Sequence, residues 1–215
     1  MKVTMLIISA AMTATLFAAK PVKKHHVPER LDQIRLIHPA AANRNHILVA
    51  NVGNAIPAET WGKVVTYAVS RLQLNVWTNS VAAFDAKEFL ADPTKVQKDF
   101  GAKAKVGLFI VNEPNQARFY GAPGCWYAAN VNGLDKGVSD AQTIKDRYAK
   151  LILKGLAYAC GGGASLDSQC SLFYGSVTPK GMDDTGIMIS PTTYFPMLEI
   201  LRSIGGDEML TPAMD

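Results

Sequence analysis

The chain carries the stretch Lys154-Gly155-Leu156-Ala157-Tyr158-Ala159-Cys160-Gly161-Gly162-Gly163-Ala164 where a long helix is predicted to end. The assignment of the fold depends on this stretch. The helix is predicted to begin near Ser139, because Ser139 and Gln142 have the spacing of a capping box. The residues that recur on its core face are Ile144, Tyr148, Leu151, Ile152, Gly155 and Ala159. Three consecutive glycines end it, since glycine enters left-handed conformations freely. Residues 154, 158 and 161 then share one flank of the helix beside that core face.

The rest of the chain alternates short apolar runs with helical patterns. Strands are predicted at residues 46–52, 75–81, 105–111 and 126–131. Other helices are predicted to open at Pro57, to cover residues 85–90 and to cover residues 194–204. This alternation predicts an α/β layered domain over residues 46–215, built on a twisted mixed sheet.

The order of these elements resembles that of metzincins, a group of zinc metalloproteases, and most closely the archaemetzincins. The metzincin signature is H-E-x-x-H-x-x-G-x-x-H, with three zinc-binding histidines and a catalytic glutamate. Aligned to this signature, the chain keeps the glycine as Gly161. The histidine positions carry Lys154, Tyr158 and Ala164. The glutamate position carries Gly155.

Two features beyond the core motif add to the resemblance. In the archaemetzincin extension of the signature, Cys170 matches the second of two cysteines, whereas Ser165 stands at the first. The stretch Gly186–Pro191 is similar to the methionine turn of metzincins, in which Met188 would form an apolar floor. The alternative is that Met188 is an ordinary core methionine before a proline turn. The resemblance implies a zincin-like fold with a long active-site-type helix, a methionine turn and a C-terminal helix.

The residues at the motif positions cannot perform zinc hydrolysis. That reaction needs three protein ligands, an open fourth position and a general base. Lys154 is normally a cation and repels a metal ion, Ala164 has no donor atom, and Gly155 has no side chain to act as a base. We therefore expect no metal, no other cofactor and no peptidase activity.

The resemblance also implies a peptide-binding cleft. Metzincins hold an extended peptide against an edge strand of the sheet, which adds a strand to it. The candidate edge strand comprises Trp126, Tyr127, Ala128, Ala129, Asn130 and Val131. A partner could pair with this strand while Lys154 and Tyr158 offer it a cation and a hydroxyl. The alternative is that Lys154 reaches solvent, Tyr158 packs in the core and the cleft has no role.

The N-terminus predicts export. Residues 1–19 combine Lys2, an apolar run and two alanines, as a cleavable signal peptide does, and the run is shorter than the roughly 20 residues of a membrane span. Residues 20–45 predict a basic tether. We expect a secreted or periplasmic protein with no membrane span after cleavage. The net charge of +4 arises entirely in residues 1–30, so the neutral body predicts no nucleic-acid partner.

The function predicted from these features is that of a non-catalytic secreted pseudopeptidase, which binds an unknown protein or peptide at the former active-site cleft. The first alternative is a secreted hydrolase of another class that uses Ser165, Cys160 or Cys170 as nucleophile with His38 or His46 as base. The second is a structural or interaction protein of the bacterial envelope.

The chain has three cysteines, Cys125, Cys160 and Cys170. In an exported protein they predict one disulfide and one odd thiol, or else three buried thiols. Zinc binding by the three is the alternative, but neither a C-x-x-C pair nor a nearby histidine supports it.

Overall fold

The computed structural model describes residues 47–72, 74, 76–100, 104–186 and 189–205. The predicted signal peptide (1–19), the tether (20–45) and Met188 lie outside these described residues. The four histidines also lie outside them. Within the described part of the chain, no helix combines the length and the apolar character that a membrane crossing requires.

Five strands and six helices make up the described part of the chain. In chain order they are β1 (Ile47–Val52), α1 (Ala58–Leu72), β2 (Val76–Val81), α2 (Ala86–Ala91), α3 (Lys95–Asp99), β3 (Val106–Val111), β4 (Phe119–Ala122), β5 (Trp126–Asn130), α4 (Ala141–Ala159), α5 (Pro179–Asp184) and α6 (Pro191–Gly205).

The strands form one mixed sheet in the order β2-β1-β3-β5-β4. Strands β2, β1, β3 and β5 are parallel to one another, and β4 pairs antiparallel with β5. Every residue of β3 is buried, as expected for a central parallel strand covered on both faces. The predicted layered α/β fold with a twisted mixed sheet is confirmed.

Two separate cores cover the two faces of the sheet. Successive residues of a strand point to opposite faces, so Leu108 and Ile110 join the larger core with α1, α4 and α6. Phe109 and Val111 join a smaller, aromatic core with α2 and α3. The sheet therefore has one face that carries the long helix and one face covered only by two short helices.

Several details differ from the sequence-based expectations. The N-cap of α4 is Asp140 rather than Ser139, because the Asp140 carboxylate accepts hydrogen bonds from the backbone N–H groups of Gln142 and Thr143. Strand β4 and helices α3 and α5 were not predicted. The three cysteines are free thiols, so the predicted disulfide is wrong. Cys125 is half-buried, and the other two are buried.

Candidate functional site on the long helix

Lys154 lies in the interior of the protein. Only 1% of the residue is exposed to solvent. Its Nζ donates hydrogen bonds to the carbonyl oxygen of Phe173 at 2.6 Å and to the hydroxyl of Ser176 at 2.7 Å. The rings of Phe119 and Tyr158 lie 5.8 and 5.7 Å from the same nitrogen, within the range of cation–π attraction. The expectation that this ammonium group is offered to a ligand in an open cleft is wrong, and so is the alternative that it reaches solvent.

None of these contacts of the Lys154 ammonium group is with a carboxylate. Burial lowers the pKa of Lys154 to about 8, because the ammonium group has lost most of its water. The group is therefore still mainly protonated at neutral pH. Two neutral oxygens and two aromatic rings compensate for only part of the lost hydration.

Two further basic residues of α4 hold the same part of the chain. Arg147 forms a bidentate pair with the carboxylate of Asp183, with N–O distances of 2.8 and 2.6 Å. Lys150 donates to the carbonyl oxygens of Met182 and Thr185 at 2.6 and 2.8 Å.

The three cations lie at a spacing of three and four residues, so they form one stripe along the helix. Apart from the carbonyl oxygen of Leu134, to which Arg147 also donates, their hydrogen-bond partners belong to residues 173–185. We call residues 165–185 the covering segment. Its hydrogen bonds to the three cations hold it on the flank of α4 that corresponds to the ligand-bearing flank of a zinc helix.

Tyr158 packs into an aromatic group instead of pointing into a groove. Its ring meets Phe119 edge-on at 5.3 Å and Tyr127 at 5.6 Å. Burial raises the pKa of Tyr158 to about 12, so the phenol stays neutral at ordinary pH.

The remaining motif positions serve packing. A Cβ atom added to Gly155 would lie 2.8 Å from a methyl carbon of Leu108 and 3.2 Å from Cβ of Ala129. Helix α4 therefore rests directly on β3 and β5 at this point. Gly161 has a φ of +82°, and a Cβ there would lie 2.8 Å from Ile200. Ala164 is exposed.

The predicted edge strand is not an edge. Strand β5, with Trp126, Tyr127, Ala128, Ala129 and Asn130, is parallel to β3 on one side and antiparallel to β4 on the other. Val131 follows β5 and donates its N–H to Val111 of β3. The strand at this side of the sheet is β4, which was not predicted from the sequence.

The outer side of β4 carries unpaired backbone groups. The N–H of Asn130 donates to the carbonyl of Arg118, which fixes these two residues as a hydrogen-bonded pair. Because such pairs alternate along an antiparallel ladder, the N–H and C=O groups of Phe119 and Gly121 point away from β5. Within the described residues these groups have no hydrogen-bond partner.

The candidate nucleophiles of the alternative hydrolase are poorly suited to attack. Cys160 is fully buried, and burial raises its pKa to about 12, which disfavours the reactive thiolate. The Cys170 sulfur accepts the N–H of Ser190 at 3.2 Å, and the Ser165 hydroxyl accepts the N–H of Asp167 at 3.1 Å. The proposed bases His38 and His46 lie outside the described residues. Among the described residues, no group of three His, Cys, Asp or Glu side chains could hold a metal ion.

The fold is similar to those of two proteins of known structure. An archaemetzincin from Methanopyrus kandleri matches it with a TM-score of 0.55 at 13% identity, over 76% of this chain and 99% of that one. A zinc-dependent peptidase from Methanocorpusculum labreanum matches with a TM-score of 0.54 at 9% identity, over 70% of this chain and 99% of that one. These identities are so low that the similarity concerns the fold alone. The sequence matches no protein-family model and no curated protein.

Proposed function

We propose that this chain is a non-catalytic, exported pseudopeptidase that binds an extended peptide segment of a partner along the outer side of β4. The observation that carries the proposal is the position of Lys154. Its ammonium group is buried on the flank where a zinc helix presents its first ligand, and it bonds to the chain's own Phe173 and Ser176. The region that a metal ion would occupy thus contains a positive charge of the protein itself.

The donor set supports the non-catalytic part of the proposal. A protonated lysine repels Zn²⁺, the Tyr158 phenol is held neutral by its raised pKa, and Ala164 has no ligand atom. Gly155 offers no base to a metal-bound water. The covering segment also occupies the flank of α4 that substrate would have to approach.

Strand β4 supports the binding part. Its outer backbone groups can form main-chain hydrogen bonds to an added strand, which is a common mode of peptide recognition. Val177 lies near the start of this edge, because the guanidinium of Arg118 donates to its carbonyl oxygen at 3.1 Å. Val177 is exposed by 38%, so it offers an apolar contact to a side chain of a bound peptide.

Metal analysis of the purified full-length chain tests the loss of catalysis. We expect substoichiometric zinc and no peptidase activity on a casein substrate, with or without added zinc. The full chain is required, because its histidines lie outside the described residues. One zinc per chain, together with proteolysis that a chelator abolishes, would overturn the proposal.

A pair of substitutions at Phe119 tests binding at β4. Blocked hexapeptides of random sequence are first tested against the wild-type chain, and those that it retains are resynthesised. These peptides are then titrated against the Phe119→Pro and Phe119→Ala variants. Both variants lose the ring, but only proline removes the outward N–H, and an edge strand tolerates proline there. We expect Phe119→Pro to bind about fivefold to tenfold more weakly than Phe119→Ala, as the loss of one hydrogen bond predicts. Equal affinities of the two variants, or no retained peptide, would contradict binding along this strand.

A further inference from the structure

A cavity of about 840 Å³ opens on the face of the sheet opposite α4. It lies beyond the carboxyl ends of β2 and β3, where open α/β sheets commonly bind ligands. Its size is that of a site for a small molecule. It shares no lining residue with the covering segment or with the outer side of β4.

Four phenylalanines line the cavity. They are Phe84, Phe89, Phe100 and Phe109. Phe109 is buried, and Phe84 stacks on it with ring centroids 4.2 Å apart and an interplanar angle of 18°. Phe100 packs on the same ring at 5.8 Å. Because Phe84 and Phe100 are only half-buried, part of each ring remains accessible at the cavity.

The charged residues of the lining are mostly acidic. They are Asp85, Glu88, Asp99 and Glu113, against the single cation Lys87. Glu88 and Asp99 share the ammonium group of Lys95, at 3.0 and 2.7 Å.

Glu113 is the carboxylate best placed to receive a cation. Among the described residues it has no ion-pair partner. One of its oxygens accepts the hydroxyl of Tyr120 at 2.6 Å, which orients the carboxylate and leaves the second oxygen available.

We propose that this cavity binds an organic cation. The geometry joins accessible aromatic rings to a carboxylate that has no ion-pair partner in the described part of the chain. These two features together select for an ammonium or guanidinium group. A guanidinium suits both, because its flat face stacks on a ring while its edge donates to Glu113. The same acidic lining repels an anion. The cation is either a free small molecule or an arginine or lysine side chain of a partner.

Calorimetric titration of the full-length chain with agmatine tests this site. We expect saturable binding that weakens with salt, and no binding of the ureido analogue N-(4-hydroxybutyl)urea, which has a similar shape and neither of the two charges of agmatine. Glu113→Gln keeps an acceptor for Tyr120 but loses the charge, and we expect it to weaken agmatine binding at least about fivefold. Phe84→Leu should weaken it about threefold through the loss of the π face. Glu199→Gln, on the exposed side of α6, is the matched charge control and should change nothing.

A blocked Gly-Arg-Gly peptide separates the two sources of the cation. Tighter binding of the peptide than of agmatine indicates a side chain presented by a partner, and the reverse indicates a free small molecule. The proposal is overturned if neither probe binds at about 10 mM. It is equally overturned if the ureido analogue binds as well as agmatine, or if Glu113→Gln has no effect in a variant whose thermal unfolding matches the wild type.

Discussion

Glutamate in place of Gly155 is expected to destabilise the protein by about 4 kcal/mol or more, enough to prevent folding of a marginal domain. This substitution introduces the residue that the metzincin signature has at this position, but the structure has no space for it. A Cβ at this position already lies 2.8 Å from Leu108, and four more heavy atoms and a charge must follow it into the buried layer between α4 and the sheet. Overpacking costs about 1–3 kcal/mol, and an unpartnered buried carboxyl group costs several more.

The same substitution at Gly62 is the control. Gly62 also lies inside a helix, α1, but it is exposed and a Cβ there meets nothing within 4 Å. Glutamate should stabilise the protein there by up to about 0.5 kcal/mol, because it favours the helix more than glycine does. Denaturant unfolding of both variants measures the contrast. If Gly155→Glu unfolds at the wild-type denaturant concentration, α4 does not lie as close to β3 as the structure has it.

The parts of the fold that the sequence predicted well are those fixed by local pattern. Strand β3 begins and ends within a residue of its prediction, because Val106–Val111 is a continuous apolar run bounded by polar residues. Helix α1 follows Pro57 as expected, and Val64, Val65 and Leu72, which recur at helical spacing, are buried.

The parts that the sequence did not predict depend on contacts between distant residues. Nothing in the neighbourhood of Lys154 indicates that a carbonyl 19 residues further along the chain will cover it. The basic residues Arg147, Lys150 and Lys154 do follow a helical spacing, and that spacing was the available signal for a buried cationic stripe. It was missed because basic residues at such a spacing usually mark a solvated face.

Strand β4 was missed for a different reason. Phe119–Ala122 is short, half-buried and interrupted by Gly121, whose φ of +151° few other residues adopt. A segment of this kind is recognised as a strand only by its pairing with β5. Since the sequence prediction lacked β4, it assigned the free edge to β5, one strand too far inward.

The stability of the wild type relative to Lys154→Met should rise by about 3 kcal/mol between pH 8 and pH 10.5. The folded-state pKa of Lys154 is about 8, whereas its ordinary value is 10.5. Between these values the unfolded chain binds a proton that the folded chain does not, so the free energy of unfolding of the wild type increases with pH. Below pH 8 the wild type carries the full cost of the buried ammonium group. Methionine fills a similar volume without that cost, so the variant should be at least as stable as the wild type at pH 7.

The comparison with Lys154→Met is necessary because other buried groups titrate in the same range. The pKa values of Tyr158 and Cys160 are raised to about 12, and both groups lower the stability as the pH rises past their ordinary values. Burial also lowers the pKa of Lys150, so the titration of Lys150 increases the stability with rising pH, as that of Lys154 does. All three groups are present in both proteins, so their contributions cancel in the difference.

A difference that stays constant from pH 7 to pH 10.5 would mean that the Lys154 ammonium group is solvated. The covering segment would then stand open, and the flank of α4 would again be accessible to a ligand.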